Sequence, residues 1–329
     1  MEIFVGNYNY YNGITKLELS KNLDIKPSQE SKTLDHCSYL NIYNNDYIFS
    51  VSETKNSQFG DCGQIYLINQ TNLNLVTSLS SFGQNPCYIT TSQNNKYMAW
   101  VNYDSGNTVL YNIENIYCPF LIKNIKNDIN SQPHCCIFHD EKLFSLYCST
   151  NQIVEFNIQS LELKKHRIPN IIRPRHIIHK ENNTFYIINE NNTFITELLY
   201  ENGTFNITRS IPLSLNSAFD GSTIKFDANK DFLYASLRQS NKIKIFKVDN
   251  NLLQQINEIK TYGNNPRDFD IIDKSIIVAN TDSKSISAIK LNNNLEVDYY
   301  KSYEFNTTPA FVKIKKHWFI LIQCFLFFR

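Results

Sequence analysis

The chain has 329 residues, of which 42% are hydrophobic and 13% aromatic, enough to bury a large core, so intrinsic disorder is not expected. Its 32 basic and 31 acidic side chains leave a formal net charge of +1, without the basic excess typical of nucleic-acid-binding surfaces. We therefore expect a folded protein that binds no nucleic acid.

The cysteines and the two ends of the chain bear on its cellular location. The eight cysteines show no paired spacing, so we expect small buried residues in a reducing compartment. The opening "MEIFVGNY" reads at once as a strand, which leaves no room for a secretory signal, and we expect a cytoplasmic protein. The apolar segment 318–328 is about half the ~20 residues of a membrane-spanning helix, so we expect a buried strand or tail and no membrane partner.

In chain order, an N-terminal pair of strands is followed by six similar units. "MEIFVGNYNYYNGITKLEL" reads as two strands of a unit whose first strand is missing. Each later unit has a short alternating run, a polar turn, a second apolar run and a third alternating run, and four of them open with proline. The six units are "HCSYLNIYNNDYIFSVSETK" with "GQIYLIN" after an insertion, "NPCYITTSQNNKYMAWVNYDSGNTVLYNI", "QPHCCIFHDEKLFSLYCSTNQIVEFNI", "RPRHIIHKENNTFYIINENNTFITELL", "GSTIKFDANKDFLYASLRQSNKIKIFKV" and "NPRDFDIIDKSIIVANTDSKSISAIKL".

A period of roughly 45 residues with three or four short strands per repeat is typical of a β-propeller. The segment "TPAFVKI" near the C-terminus reads as the innermost strand that the N-terminal unit lacks, so the two ends together complete a seventh blade. We predict an all-β, seven-bladed β-propeller whose last blade is closed by the N-terminal strands. It forms a single domain over residues 1–329, with residues 315–329 as an atypical apolar tail.

The repeat also predicts which side chains share one face. In an up-and-down blade the first strand leaves one end of the propeller and the second strand returns to it. The residues after each proline and after each second strand should therefore surround one mouth of the central channel. The first set includes His134, Arg175 and Arg267, and the second Glu53, Tyr103, Ser149, Glu190, Arg238 and Thr281.

At these positions the sequence resembles the seven-bladed lactonase-type propellers, a family that includes bacterial 6-phosphogluconolactonase and the fungal carboxy-cis,cis-muconate lactonizing enzyme. The resemblance covers nearly the whole chain. It is carried by "IFVGNYNYYNGI", the turn at Asn102, Tyr103 and Gly106, "PHCCIF", "RPRHIIHKENNTFYIINE", "FLYASLR" and "NPRDFDI". The chain departs from the family pattern at Asn7, where Thr is usual, at Arg173, where Gly is usual, and at Ser222–Ile224, where an acidic residue is often found.

The resemblance implies that His134, Arg175, Glu190 and Arg238 are catalytic. We expect Arg267, His176, Tyr103 and Glu53 to contact substrate, although His176 could serve only in packing. The expected partner is a small anionic lactone bound by a monomer or homodimer, with no cofactor. "HCCIFH" suggests zinc, but His139 would lie on the face of the strand opposite His134 and Cys136, so we expect no metal.

Lactone opening needs an activated water, stabilisation of the carbonyl oxygen and groups that bind the anionic substrate. Glu190 or His134 could take the proton from water, and Arg175 and Arg238 offer forked donors for an anion. Alternatively, Arg175 and Glu190 could form a structural ion pair, which at a surface contributes only ~0–1 kcal/mol.

Three functions remain open at this point. The first is hydrolysis of a sugar lactone, with 6-phosphogluconolactone as the leading substrate. The second is the related cyclase reaction on a carboxymuconate-type acid, and the third is a propeller scaffold without catalysis. Four charged groups that converge on one mouth argue against the scaffold.

Overall fold

The computed structural model describes residues 1–128, 130–169, 171–191, 194–213, 220–249 and 252–315. These residues form 28 strands and no helix, and the strands assemble into seven four-stranded antiparallel sheets. No helix that could cross a membrane occurs in this part of the chain. The predicted seven-bladed propeller is confirmed, whereas the apolar tail from residue 316 onward lies outside the described residues.

The strands follow the chain order of the blades. Three strands come first: β1 (Glu2–Asn7), β2 (Ile14–Leu19) and β3 (Ile25–Glu30). Blade 1 consists of β4 (Leu40–Tyr43), β5 (Tyr47–Ser52), β6 (Gln64–Asn69) and β7 (Leu75–Ser80). Blade 2 consists of β8 (Pro86–Thr91), β9 (Tyr97–Asn102), β10 (Asn107–Asn112) and β11 (Phe120–Lys126). Blade 3 consists of β12 (Pro133–His139), β13 (Lys142–Tyr147), β14 (Gln152–Asn157) and β15 (Leu163–Arg167).

The second half of the chain repeats this arrangement. Blade 4 consists of β16 (Pro174–His179), β17 (Thr184–Asn189), β18 (Phe194–Glu201) and β19 (Thr204–Pro212). Blade 5 consists of β20 (Gly221–Phe226), β21 (Phe232–Leu237), β22 (Lys242–Asp249) and β23 (Leu252–Lys260). Blade 6 consists of β24 (Pro266–Ile272), β25 (Ser275–Asn280), β26 (Ser285–Leu291) and β27 (Val297–Glu304). In blade 7, β28 (Pro309–Ile314) pairs with β1, and β2 and β3 follow outward.

The hydrophobic core lies between the blades. Seven apolar clusters are present, and each joins two neighbouring sheets. Between blades 3 and 4, for example, Phe144 and Leu146 pack with Phe185 and Ile187. Each fully buried side chain of this size contributes about 1.5–3 kcal/mol. The inner strands are therefore apolar on both faces, while outer strands such as β11 alternate or face solvent.

The ring closes where β28 meets blade 6. The carboxylate of Asp268 accepts the backbone N–H of Val312 at 3.2 Å, and that of Asp270 accepts the N–H of Ile314 at 2.9 Å. Both acids belong to β24, the innermost strand of blade 6. Side chains of one blade thus hold the innermost strand of the next, which fixes the C-terminal strand beside the N-terminal one.

The cysteines are buried and free, as the missing pairing pattern suggested. Of the seven within the described residues, only Cys118 is exposed. Burial raises the pKa of the Cys37 thiol to about 12 and of the Cys135 thiol to about 11, so both remain protonated at neutral pH.

Candidate active site

In blades 3, 4 and 6, a β-bulge at the start of the innermost strand turns one side chain into the channel. In blade 4, Pro174 pairs with Asn189 and His176 with Ile188, so Arg175 is the extra residue between them. The same shift makes His134 and Arg267 the extra residues of blades 3 and 6. Because a bulge re-aims side chains without ending the strand, these residues face the channel.

A second set of mouth residues lies directly after the second strand of each blade. The N–H of Glu190 donates to the carbonyl of Arg173 at 2.8 Å, and the N–H of Arg238 donates to that of Asp220 at 2.7 Å. An equivalent backbone hydrogen bond, from the N–H of the residue to a carbonyl before the innermost strand, fixes Tyr103, Glu53, Thr281, Tyr8 and Cys148. The sequence-based position in blade 3 was therefore wrong by one residue. Cys148, and not Ser149, directly follows the second strand of blade 3, because β13 ends at Tyr147.

The structure brings the predicted residues together at one mouth. Glu190 Oε1 accepts a hydrogen bond from Arg238 Nη2 at 2.6 Å, across the boundary between blades 4 and 5. The His134 ring lies edge-on to Tyr103, with their centroids 5.8 Å apart. Arg175 is 2% exposed, and His134 is 7% exposed. The predicted Arg175–Glu190 pair is not among the ion pairs of the described residues, where Glu190 instead binds Arg238 and Arg173.

Comparison with known proteins identifies the family of the chain. The family model "Lactonase, 7-bladed beta-propeller" matches residues 2–296.

The chain belongs to this lactonase family.

Two staphylococcal proteins are similar to this chain over most of its length. An uncharacterized protein of Staphylococcus saprophyticus is 27% identical over 281 residues, which cover 77% of this chain and 79% of that protein. An uncharacterized protein of Staphylococcus aureus strain USA300 is 24% identical, covering 87% of this chain and 91% of its own.

Solved structures share the fold at lower identity. A "putative 6-phosphogluconolactonase" of Bacteroides fragilis aligns with a TM-score of 0.81 at 21% identity, over 95% of this chain and 97% of its own. The periplasmic gluconolactonase of Pseudomonas aeruginosa aligns with a TM-score of 0.83 at 17% identity, over 95% and 98% of the two chains. At this level of identity the likeness establishes the fold of the lactonase-family propeller and nothing finer.

The deepest cation of this lactonase-family mouth is Arg175. Its Nη1 donates to the carbonyl of Ser222 and lies 3.3 Å from His176 Nε2, while its Nε is buried without a hydrogen-bond partner. Burial, followed by the positive charges of Arg238 and Arg267, lowers the pKa of Arg175 to about 10. It remains a cation at neutral pH, and its unused donor favours an anionic oxygen as ligand.

The two carboxyl groups of the mouth differ in their surroundings. Burial would raise the pKa of Glu190, but Arg238, Arg175 and Arg173 together hold it below the usual value. For Glu53, burial dominates and raises the pKa, although Arg267 opposes the change. Oε2 of Glu53 is buried without a hydrogen-bond partner. Glu190 is therefore fixed as a carboxylate, whereas Glu53 takes up a proton more readily.

His134 is a neutral imidazole in this setting. Burial, followed by the charges of Arg175, His176 and Arg267, brings its pKa well below the usual value. Its Nδ1 is buried without a hydrogen-bond partner. A neutral ring with a free nitrogen at the channel can accept a proton at pH 7.

Aromatic side chains close the channel under the mouth. The ring centroid of Tyr39 lies 4.2 Å from those of both Tyr88 and Phe311. The cavity that remains has a volume of about 10 Å³, room for one water molecule, and is lined by residues that include His134 and Arg175. A substrate therefore has to bind above these side chains, at the mouth.

His176 contributes to this floor. Its ring lies 5.6 Å from that of Tyr88 and 5.5 Å from that of His134, and its Nδ1 is 3.3 Å from Thr223 Oγ1. It is 6% exposed and packed on all sides. The structure thus gives His176 a role in packing beneath the mouth.

Besides Cys148, two residues of the mouth were not predicted from the sequence. Tyr8 follows β1 and lies under Arg267, whose guanidinium carbon is 5.1 Å from the tyrosine ring centroid. Its equivalence to Glu53 was visible in the repeat, but blade 7 is split between the two ends of the chain. Arg173 precedes Pro174 and was not counted among the site residues, and its side chain reaches across to Glu190.

No group of three or more His, Cys, Asp or Glu side chains suited to a metal ion occurs among the described residues. His139, the most promising additional ligand in the sequence, lies instead beside His179, with ring centroids 4.4 Å apart.

Proposed function

We propose that the protein hydrolyses a small anionic sugar lactone and that 6-phosphogluconolactone is its substrate. The observation that carries the proposal is the pairing of two buried, unpartnered groups on one cavity. These are the cationic Arg175, with its free Nε, and the neutral His134, with its free Nδ1. Ester hydrolysis requires one group that accepts a proton from water and one that stabilises the oxygen of the tetrahedral intermediate.

In the proposed reaction His134 takes a proton from a water molecule as its oxygen attacks the lactone carbonyl carbon. The negative charge that develops on the carbonyl oxygen is stabilised by Arg175. The bond between the carbonyl carbon and the ring oxygen then breaks, and the proton held by His134 returns to that ring oxygen. The products are a carboxylic acid and a hydroxyl group, so one lactone and one water yield one hydroxy acid.

Glu190 acts as an orienting group in this scheme. Both of its carboxylate oxygens accept hydrogen bonds from arginines, Oε1 from Arg238 at 2.6 Å and Oε2 from Arg173 at 3.1 Å. With both oxygens bound to guanidinium groups, this carboxylate is less free than His134 Nδ1 to accept a proton from water. It holds the guanidinium groups in place for an anionic substrate.

The anionic character of the substrate is supported by the charge of the mouth. Four guanidinium groups, those of Arg173, Arg175, Arg238 and Arg267, face the two carboxyl groups of Glu53 and Glu190. With both acids ionised the arithmetic gives four positive and two negative charges, a surplus of two. A ligand that carries a phosphate or carboxylate compensates this surplus.

The test is acid release from freshly generated 6-phosphogluconolactone, compared with the spontaneous rate, for the wild-type protein, His134→Ala and Arg175→Gln. We expect acceleration by the wild type and a loss of at least about 100-fold in kcat for either variant. No acceleration by folded wild-type protein would reject this substrate. The same assay with a carboxymuconate would then test the cyclase reaction.

A further inference from the structure

Arg173 lies at the rim of the mouth in a tightly fixed backbone conformation. Its φ is +51°, in the left-handed region that side chains other than those of Gly, Asn and Asp rarely adopt. Its N–H donates to Asn151 Oδ1 at 2.8 Å, and its carbonyl accepts the N–H of Glu190 at 2.8 Å. The loop therefore presents the Arg173 side chain from a constrained position.

The guanidinium of Arg173 has two edges with different partners. Nε donates to the carboxylate of Glu190 at 3.1 Å. The other edge contacts neutral acceptors on blades 2 and 3: Nη1 is 3.3 Å from Gln132 Oε1 and 3.5 Å from Ser149 Oγ, and Nη2 is 3.2 Å from the Tyr103 hydroxyl. The Arg173 side chain is 25% exposed, compared with 18% for that of Arg238.

Neutral acceptors bind a guanidinium less strongly than an anion does. Hydrogen bonds with charge on both partners are roughly twice as strong as neutral ones, and the paired N–H groups of arginine match two oxygens of a phosphate or carboxylate. An acidic group at the mouth would therefore displace Gln132, Ser149 and Tyr103 from the outer edge of Arg173. The bond from Nε to Glu190 would hold the guanidinium in place during the exchange.

Two other arginines of the mouth are engaged in a different way. Arg175 is buried and contacts the carbonyl of Ser222, and Arg238 Nη2 is shared between Glu190 and the carbonyl of Gly221. Arg173 differs from both in its greater exposure, and three of its hydrogen-bond partners are neutral side chains.

We propose that Arg173 binds the acidic group at the end of the substrate remote from the reacting carbonyl, while Arg175 acts at the carbonyl. The inference rests on the proposed lactone hydrolysis and narrows its substrate class. The site would take compact lactones with a phosphate or carboxylate distant from the ester bond. Arg173 would then set specificity, and the distant charge would contribute mainly to binding.

The experiment compares kcat/KM for 6-phosphogluconolactone and for gluconolactone, which lacks the phosphate, in the wild type and in Arg173→Gln. Loss of the contact with Glu190 affects both lactones alike and cancels in the ratio of the two values. We expect this ratio to fall about 10- to 100-fold, mainly through KM. Arg173→Lys should recover part of the ratio, and Arg167→Gln, an exposed arginine of β15, is the matched control that leaves it unchanged.

An unchanged ratio in Arg173→Gln would overturn the inference, even if both rates fell, because Arg173 would then only position Glu190. If the wild type hydrolyses neither lactone, calorimetric binding of 6-phosphogluconate and gluconate replaces the rates. Tighter binding of 6-phosphogluconate that Arg173→Gln abolishes would support the phosphate contact even though the proposed hydrolysis had failed. Equal affinities of wild type and variant for 6-phosphogluconate would reject it.

Discussion

At the scale of single residues, the mouth separates groups of the same type by their surroundings. Glu190 is held ionised between arginines, while Glu53 is half-buried beside Tyr8 with a raised pKa. His134 and His176 are both neutral because burial and the nearby arginines oppose a further positive charge. Pairs of titratable groups whose pKa values are driven apart are typical of sites that divide acid, base and binding roles.

The depressed pKa of His134 predicts the pH dependence of the proposed hydrolysis. The neutral ring is the active form, so activity is lost only as pH falls through the pKa of His134 in the folded protein. Because that pKa lies well below 6.5, we expect kcat/KM to stay level from pH 8 to below 6.5. A pH–rate profile corrected for spontaneous hydrolysis measures this, and a decline centred near 6.5 or above would exclude His134 as the base.

Stability should depend on pH through the same histidines. In the unfolded chain His176 has an ordinary pKa of about 6.5, whereas in the folded protein its pKa is well below that value. The unfolded state therefore binds more protons below pH 6.5, and the free energy of unfolding should decrease as pH falls from about 7 to 5.

Urea unfolding at several pH values tests this dependence. His176→Asn removes one titrating group and should flatten the slope, whatever its effect on stability at pH 7. An equally steep slope in the variant would contradict the assignment. Substitution of the exposed Asn294 to Ser serves as a comparison, because it removes no titrating group.

The residues that the sequence identified are those whose place depends on strand order alone. Glu190 and Arg238 end second strands, and Arg175 follows a proline, so the repeat placed them on one face. Cys148 was missed because the reading ended β13 one residue too late. The position of the Arg173 side chain depends on its left-handed backbone conformation and on contacts with two other blades. The repeat pattern of the sequence predicts neither of these.

At the scale of elements, the prolines mark the start of innermost strands and the bulges that follow them. Proline has no N–H to donate, so it suits the first position of a strand. In blades 3, 4 and 6 the bulge after the proline then provides an inward side chain. The sequence revealed the prolines and hence the blades, but the bulges appear only in the pairing register.

The contact between β24 and β28 predicts a stability effect. Asp270 is 5% exposed, accepts the N–H of Ile314 and lies 3.5 Å from Lys313 Nζ. Asp270→Ala leaves the buried N–H without its acceptor, so we expect a loss of about 1–3 kcal/mol in the free energy of unfolding. Urea denaturation measures it, with Asp298→Ala on the exposed edge of β27 as control. Equal stability of the two variants would show that the carboxylate does not hold the closing strand.

At the scale of the whole molecule, the propeller is a closed ring whose two ends meet in one sheet. Ile314 pairs with Ile3 in the antiparallel ladder between β28 and β1, and the N–H of Lys315 donates to the carbonyl of Glu2 at 2.9 Å. The sequence predicted this closure because the N-terminal unit, which forms blade 7, lacked an innermost strand that "TPAFVKI" could supply. Every blade is then packed between two neighbours, including the one that is split.

This adjacency predicts that the chain can be circularly permuted. A short polar turn from Lys315 to Glu2 would make β28 and β1 a continuous hairpin, and new ends can be opened between the exposed Asn293 and Asn294. We expect the permuted protein to unfold in urea as one cooperative transition, within about 1 kcal/mol of a linear chain ending at Lys315. That linear chain is the control, since both proteins lack residues 316–329. A permuted protein that fails to fold while the control folds would mean that the split blade cannot be joined through these two strands.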